Sequence, residues 1–180
     1  MKGIQITTPT PNDAEGIQTV IKDTWFDTYP NAEAGITIGD IEDMFLDAFT
    51  EKVLQKRKEE LAKVPNEERL FLIAKDGVRV VGSCGVTRLH EFNKLSMIYV
   101  LPGYQGMGIG LKLWEAVVPF LNKEKNTIVQ VATYNKKAIA FYQKLGFTDN
   151  GKRFSDEKWR MKSGSIIPEM ELILKVNGLQ

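Results

Sequence analysis

Apolar positions along this chain recur at two spacings, one of two residues and one of three to four, and the switches between them mark out the elements. Gly3 to Thr7 alternates and predicts a short first strand. Thr10-Pro11-Asn12-Asp13 then reads as a helix start, with Thr as N-cap, Pro at the first helical position and Asp in the first turn. Ile17, Val20, Ile21 and Thr24 form one face of a helix that runs to about Tyr29 and stops at Pro30. After a loop from Asn31 to Ile36, Thr37-Ile38-Gly39-Asp40 has the spacing of a capping box, with Asp in the Glu/Gln place. Ile41, Met44, Phe45 and Ala48 predict the buried stripe of that second helix, and Thr50 opens a third through Leu61, ahead of Pro65.

Leu70 to Lys75 and Val78 to Arg88 are β-prone runs on either side of an Asp76-Gly77 turn. A looser turn, His90 to Lys94, leads to an apolar strand from Leu95 to Leu101. Next comes a loop holding Gly103, Gly106, Gly108 and Gly110, then a helix with Ile109, Leu113, Ala116, Val117 and Phe120 on its apolar side. Thr127 to Thr133 predicts a strand, Asn135 to Leu145 a helix stopped by Gly146, and Phe147 a return to strand. Ser155 to Gly164 reads as a polar excursion, and Pro168 to Val176 as the last strand. Consecutive strands followed by βαβα predict an α/β protein, a mixed sheet with helices on both faces.

The glycine loop carries chemistry. A strand that runs through such a loop straight into a helix leaves backbone N–H groups free at the helix start, and glycine keeps side chains out of an anion's way. Spacing separates the known phosphate loops. Ile109 follows Gly108 where a P-loop needs Lys, and Leu111 occupies the third glycine position of the dinucleotide fingerprint. What stands here is Gln105-Gly106-Met107-Gly108-Ile109-Gly110 after Val100-Leu101-Pro102, and this Q-x-x-G-x-G run resembles the acyl-CoA pyrophosphate loop of the GCN5-related N-acetyltransferase (GNAT) superfamily. About 30 residues on, Asn135-Lys136-Lys137-Ala138-Ile139-Ala140-Phe141-Tyr142-Gln143-Lys144-Leu145-Gly146-Phe147 is similar to the N-x-x-A-x-x-F-Y-x-x-x-G-F segment of the same superfamily.

The resemblance implies a single domain over residues 1–180, with acceptor-side helices at about 10–65 and an acyl-CoA-binding core at about 93–147. It implies a mostly antiparallel sheet of six to seven strands, with a V splayed open between the central ones. Acetyl-CoA would be the co-substrate, with no metal. Its pantetheine would lie against the backbone of Ile98 and Val100, with Tyr99 between them, and its pyrophosphate on Gln105, Gly106, Met107, Gly108, Ile109 and Gly110. Asn135 would bond the pantetheine arm, Lys144 a phosphate, and the Tyr142 hydroxyl would lie near the sulfur as general acid. Chain position leaves three candidates for the base: His90 or Glu91, just ahead of the strand and relaying a proton through water, or water alone.

A formal net charge of +1 on 180 residues argues against a nucleic-acid binder that works by overall charge, and no apolar run reaches membrane-spanning length. Cys84 is the single cysteine, which excludes an internal disulfide and fits a reducing compartment, the cytoplasm. Mid-strand beside glycines, it reads as a small buried residue, so direct transfer in a ternary complex is favoured over a ping-pong route. From Asp23 to Glu51 there are eight acids and no Lys or Arg, a local field of one sign. Trp25, Tyr29 and the Gly35-Ile36-Thr37-x-x-Asp40-Ile41 run look similar to bacterial polyamine-acetyltransferase-like members. A small amine, a polyamine in particular, is therefore the expected acceptor, with Asp23, Asp27, Trp25 and Tyr29 on its side of the site. A protein or peptide amine, or a non-catalytic acyl-CoA-binding module, are the alternatives. Ile167 to Val176 offers a pairing edge for a homodimer.

Overall fold

The computed structural model describes residues 3–176. After β1 (Gln5–Thr7), both the amide and the hydroxyl of Thr10 donate to Asp13 Oδ2, at 2.8 and 2.9 Å. This box sets up one 3-10 turn, Pro11–Asp13, which runs into α1 (Ala14–Thr28). Asp13 also pairs with Lys75, tying the helix start to the sheet. Two shorter helices follow, α2 (Ile38–Met44) and α3 (Glu51–Leu61). Ile41 and Ala48 are buried, but Met44 is exposed, because α2 ends there after seven residues and the chain turns.

β2 (Arg69–Asp76), β3 (Arg79–Arg88) and β4 (Asn93–Val100) form an antiparallel meander. Then come α4 (Ile109–Val117), β5 (Thr127–Ala132), α5 (Lys136–Lys144), β6 (Thr148–Arg160) and β7 (Ile166–Leu174). All seven strands join one sheet in the order β1-β2-β3-β4-β5-β7-β6, in which only β4–β5 is parallel. Helices cover both faces. α1 lays Gly16 against Val80, and α4 sets Leu113 over Gly82 on the other side. Ile109, Leu113, Trp114 and Val117 make the buried stripe of α4, while Ala116 is exposed.

Two expectations are corrected. Ser155 to Gly164 is not a polar excursion: β6 continues to Arg160 as an edge strand, whose half-exposed position suits its charged sequence. For the same reason β7 is no pairing edge. It lies between β5 and β6, so the segment expected to pair with a second copy is already paired on both sides.

Candidate active site

The sheet opens where β4 meets β5. Their parallel pairing covers Asn93–Leu95 against Thr127–Val129, and beyond it β4 stays on β3 while β5 stays on β7. A bulge in β4, which leaves Ser96 without a partner between Leu95 and Met97, falls where the two strands part. Leu101 N–H donates to Val81 O at 2.9 Å, so by strand alternation the N–H groups of Ile98 and Val100 face away from β3, into the gap. Ile98, Tyr99 and Val100 are only half-buried, unusual for apolar residues in the middle of a seven-stranded sheet.

At the mouth of this V lies the glycine loop. A 3-10 turn, Pro102–Tyr104, is pinned by the Tyr104 hydroxyl donating to Asp76 Oδ2 at 3.1 Å. Gly106 and Gly108 have φ of +77° and +76°, a conformation that glycine takes without strain, and a Cβ on either would meet open space. α4 begins immediately after, and its first free amides point toward the same opening. Gln105 is exposed, and its Nε2 donates to Val100 O at 3.2 Å, closing the strand end onto the loop. Met107 is exposed and Ile109 buried. Gly110 serves packing instead: a Cβ there would lie 3.3 Å from Phe141, so its bareness lets α5 approach α4.

Asn135 is the N-cap of α5; its Oδ1 accepts from Ala138 N at 3.0 Å, which leaves the amide NH2 for another partner. Tyr142 faces inward from α5, 5% exposed, its ring against Phe141 and Phe147. Its hydroxyl makes no hydrogen bond to another described residue. Burial, with the Tyr99 hydroxyl and Cys84 nearby, pushes the Tyr142 phenol well above its ordinary range. Lys144 is exposed one turn beyond Phe141, the residue whose ring meets Gly110 of α4.

On the α1 side, the Trp25 indole N–H donates to Tyr99 Oη at 3.2 Å and stacks on Tyr29, with ring centroids 4.1 Å apart. Tyr134, just past β5, donates its hydroxyl to Tyr29 O at 2.9 Å, bridging the open V; its own phenol is pushed up to about 12 by burial. Burial also raises Tyr29 and Tyr99. Two residues that the sequence reading missed complete this wall. Trp159 of β6 packs 5.3 Å from Trp25, and Glu169 of β7 is buried beneath it. Trp159 fell in the stretch read as a polar excursion, and Glu169 in a strand read only by its alternation.

The four expected acceptor residues separate. Asp23 and Asp27 precede Trp25 and Tyr29 by two residues, about 200° around a helix, so they face away from the V. Asp23 lines an open groove of about 520 Å³ with Lys22, Phe26, Glu42, Phe45 and Leu46, and Asp27 is exposed. The acidic field is partly spent as well: Asp40 caps α2 and Asp43 pairs with Lys162. His90 and Glu91 lie in the β3–β4 turn, at the closed end of the V. The eight residues of β4, at about 3.3 Å each, put that turn roughly 25 Å from the open end, too far for a relay through one water. Cys84 is fully buried and its thiol is pushed far up by that burial. Among the described residues no cluster of His, Cys, Asp or Glu is arranged to hold a metal ion, and no helix is long and apolar enough to cross a membrane.

A strand edge with free amides, running into an open glycine loop at a helix start, fits an extended amide-bearing chain that ends in phosphates, the shape of an acyl-CoA. The chain belongs to the acetyltransferase (GNAT) family, whose model matches residues 38–147, more than half of its length. Solved structures of the same fold include the PaiA N-acetyltransferase of Thermoplasma acidophilum in complex with coenzyme A, 22% identical with a TM-score of 0.68, covering 94% of this chain and 98% of that one. They also include the ribosomal-protein-S18-alanine N-acetyltransferase of Escherichia coli (16%, TM-score 0.64, 97% and 94%). A third is yncA of Salmonella typhimurium with acetyl-CoA (16%, TM-score 0.63, 97% and 94%). No curated protein matches the chain. It is an N-acetyltransferase with acetyl-CoA as co-substrate, and the open cradle at Gly106 and Gly108 beside the free β4 edge suits that molecule.

Proposed function

We propose that this enzyme acetylates the primary amine of a small cationic acceptor, a polyamine being the leading candidate, by direct attack in a ternary complex. The observation that carries this reading is the V: acetyl-CoA laid along Ile98 and Val100 brings its thioester to Tyr142 from one side, while the aromatic wall of Trp25, Tyr29 and Tyr99 takes the acceptor on the other. Aromatic faces attract an ammonium by about 0.5–2 kcal/mol, which favours a cationic amine over a neutral one.

In this reading the amides of Ile98 and Val100 hold the pantetheine and stabilise the developing oxyanion. Asn135 adds its free NH2, Lys144 a phosphate contact, and the loop amides from Gln105 to Gly110 the pyrophosphate cradle. Tyr142 donates its proton to the departing sulfur. Its raised pKa is no obstacle, because the transfer moves one negative charge from sulfur to oxygen inside the same buried site rather than creating a second. Cys84, held as a thiol, supports direct attack over an acyl-cysteine route.

Release of free CoA thiol from acetyl-CoA, measured with spermidine, with smaller amines and with peptides bearing a free N-terminus, tests the proposal. Spermidine-dependent release supports it; release with peptides alone transfers the reading to a protein acceptor. Tight acetyl-CoA binding without release by any acceptor returns it to a binding module.

A further inference from the structure

The mechanism above lacks a group to take the proton that a cationic amine must lose before its nitrogen can attack. Glu169 answers to that description. It is 8% exposed, and its Oε2 is buried without a hydrogen-bond partner among the described residues. In register it stands beside Ala132 of β5 and Phe154 of β6, past the point where β4 and β5 part and level with Tyr99, one strand behind the β5 bank of the V. Trp159 covers it and in turn packs on Trp25, whose indole holds the Tyr99 hydroxyl. A carboxylate kept in the core at an orphaned oxygen costs stability unless it meets a partner, and an arriving ammonium is one.

We propose that Glu169, walled by Trp25, Tyr29 and Trp159, is the amine end of the acceptor site, where its carboxylate holds the acceptor's ammonium and then takes its proton. This rests on the N-acetyltransferase reading with a cationic acceptor. The amine reaches Glu169 by displacing the indole of Trp159, half-buried on the edge strand. One N–H proton passes from R–NH3+ to Glu169. The freed lone pair forms the C–N bond at the acetyl carbon, the C–S bond breaks with its electrons going to sulfur, and Tyr142 supplies the proton that makes the thiol. A second nitrogen proton restores the Tyr142 hydroxyl, and Glu169 returns its own to solvent, so the net products are the amide, CoA thiol and H+.

The surroundings favour proton uptake by this carboxylate. Burial raises the Glu169 carboxyl above the ordinary carboxylate range, and Asp156 of β6 pushes the same way. Lys94 of β4, with Lys158 and the Trp159 indole of β6, pull it back. Tyr29 at the end of α1 and Tyr99 of β4 face it as neutral phenols.

The test is Glu169→Gln in the full chain, with its melting temperature and acetyl-CoA affinity checked against the parent. Two readouts are taken: thiol release with spermidine from pH 6 to 10, and quenching of tryptophan fluorescence by spermidine with CoA bound. We expect kcat/KM to fall by about 100-fold or more at pH 7. The gap should close as pH approaches the amine's own pKa, where free amine needs no base. Spermidine affinity should fall about tenfold or more. A loss within threefold at pH 7, or an equal loss at every pH, overturns the proposal; the second result marks a structural role. If the parent releases no thiol with any acceptor, the N-acetyltransferase reading with an amine fails separately. The fluorescence titration still decides for Glu169: weaker spermidine binding by the variant supports the site, and equal or absent binding by both proteins overturns it.

Discussion

Gly108 and Gly110, two residues apart at the start of α4, do different work, and their surroundings separate the tasks. Gly108 sits at φ +76° with open space around it, so alanine there is strained by about 1–2 kcal/mol and lays a methyl group into the anion cradle. We expect Gly108→Ala to weaken acetyl-CoA binding by tenfold or more. Gly110 has ordinary backbone but touches Phe141, so Gly110→Ala shifts α5 and the Tyr142 hydroxyl. For that variant we expect turnover to fall more than affinity. Calorimetry beside steady-state kinetics distinguishes the two, and equal effects on both constants would refute the division. Tyr142→Phe isolates the proton itself: we expect about a 100-fold loss in kcat with acetyl-CoA affinity within threefold. Because burial raises that phenol, it stays protonated throughout the working range, and the parent's rate should show no basic limb from Tyr142 below about pH 10.

At the scale of elements, local chemistry made the helix starts legible. Thr37 shows why: its amide and hydroxyl both donate to Asp40 Oδ2, at 2.9 and 2.8 Å, and its Oγ1 accepts from Asp40 N, so four residues determine where α2 begins. The glycine loop and the Asn135 cap were legible for the same reason. Trp159 and Glu169 were not, because what places them is pairing between β6 and β7, across residues that carry no local signal. The acids misled for a related reason: Asp40 Oδ1 accepts from Ser163 N at 3.0 Å, a partner 123 residues away. That bond holds α2 to the β6–β7 turn; the Thr37 amide above all, with the Thr37 hydroxyl and Ser163 adding to it, lowers the Asp40 carboxyl to about 2 from 3.8. A depressed carboxyl contributes stability that is full above about pH 4 and lost as pH falls toward 2. Asp40→Ala should therefore destabilise by about 1–2 kcal/mol at pH 7, a fall of roughly 2–8 °C in Tm. The difference should shrink below pH 4; an equal difference at pH 3 would show that the cap is not acting through its charge.

For the whole molecule, the consequence of the V is that one sheet is two. β1 to β4 and β5 to β7 are joined along the sheet by three residue pairs at the closed end. Asn93 locks that end: fully buried, it accepts from Asn122 N at 2.9 Å and donates to Asn122 O and Lys125 O at 2.9 and 3.1 Å. At the open end, Tyr134 reaches Tyr29 across the gap. In the binding mode proposed above, an extended ligand bonded to Ile98 and Val100 along the splayed edge and to Asn135 beyond β5 would supply the missing strand, which would make acetyl-CoA binding and cohesion of the two halves one event. At 100 times its Kd, a ligand that binds only the folded state stabilises by about 2.7 kcal/mol. At this chain length that is a rise of roughly 5–11 °C in Tm. We expect acetyl-CoA to give such a rise and to slow amide exchange in β4 and β5 together. Asn93→Ala, which orphans three backbone groups around the lock, should lower the starting Tm and leave β5 to β7 exchanging ahead of β1 to β4 until acetyl-CoA is added. Protection confined to the glycine loop, with β5 unchanged, would mean that the ligand fills the cradle without mending the sheet.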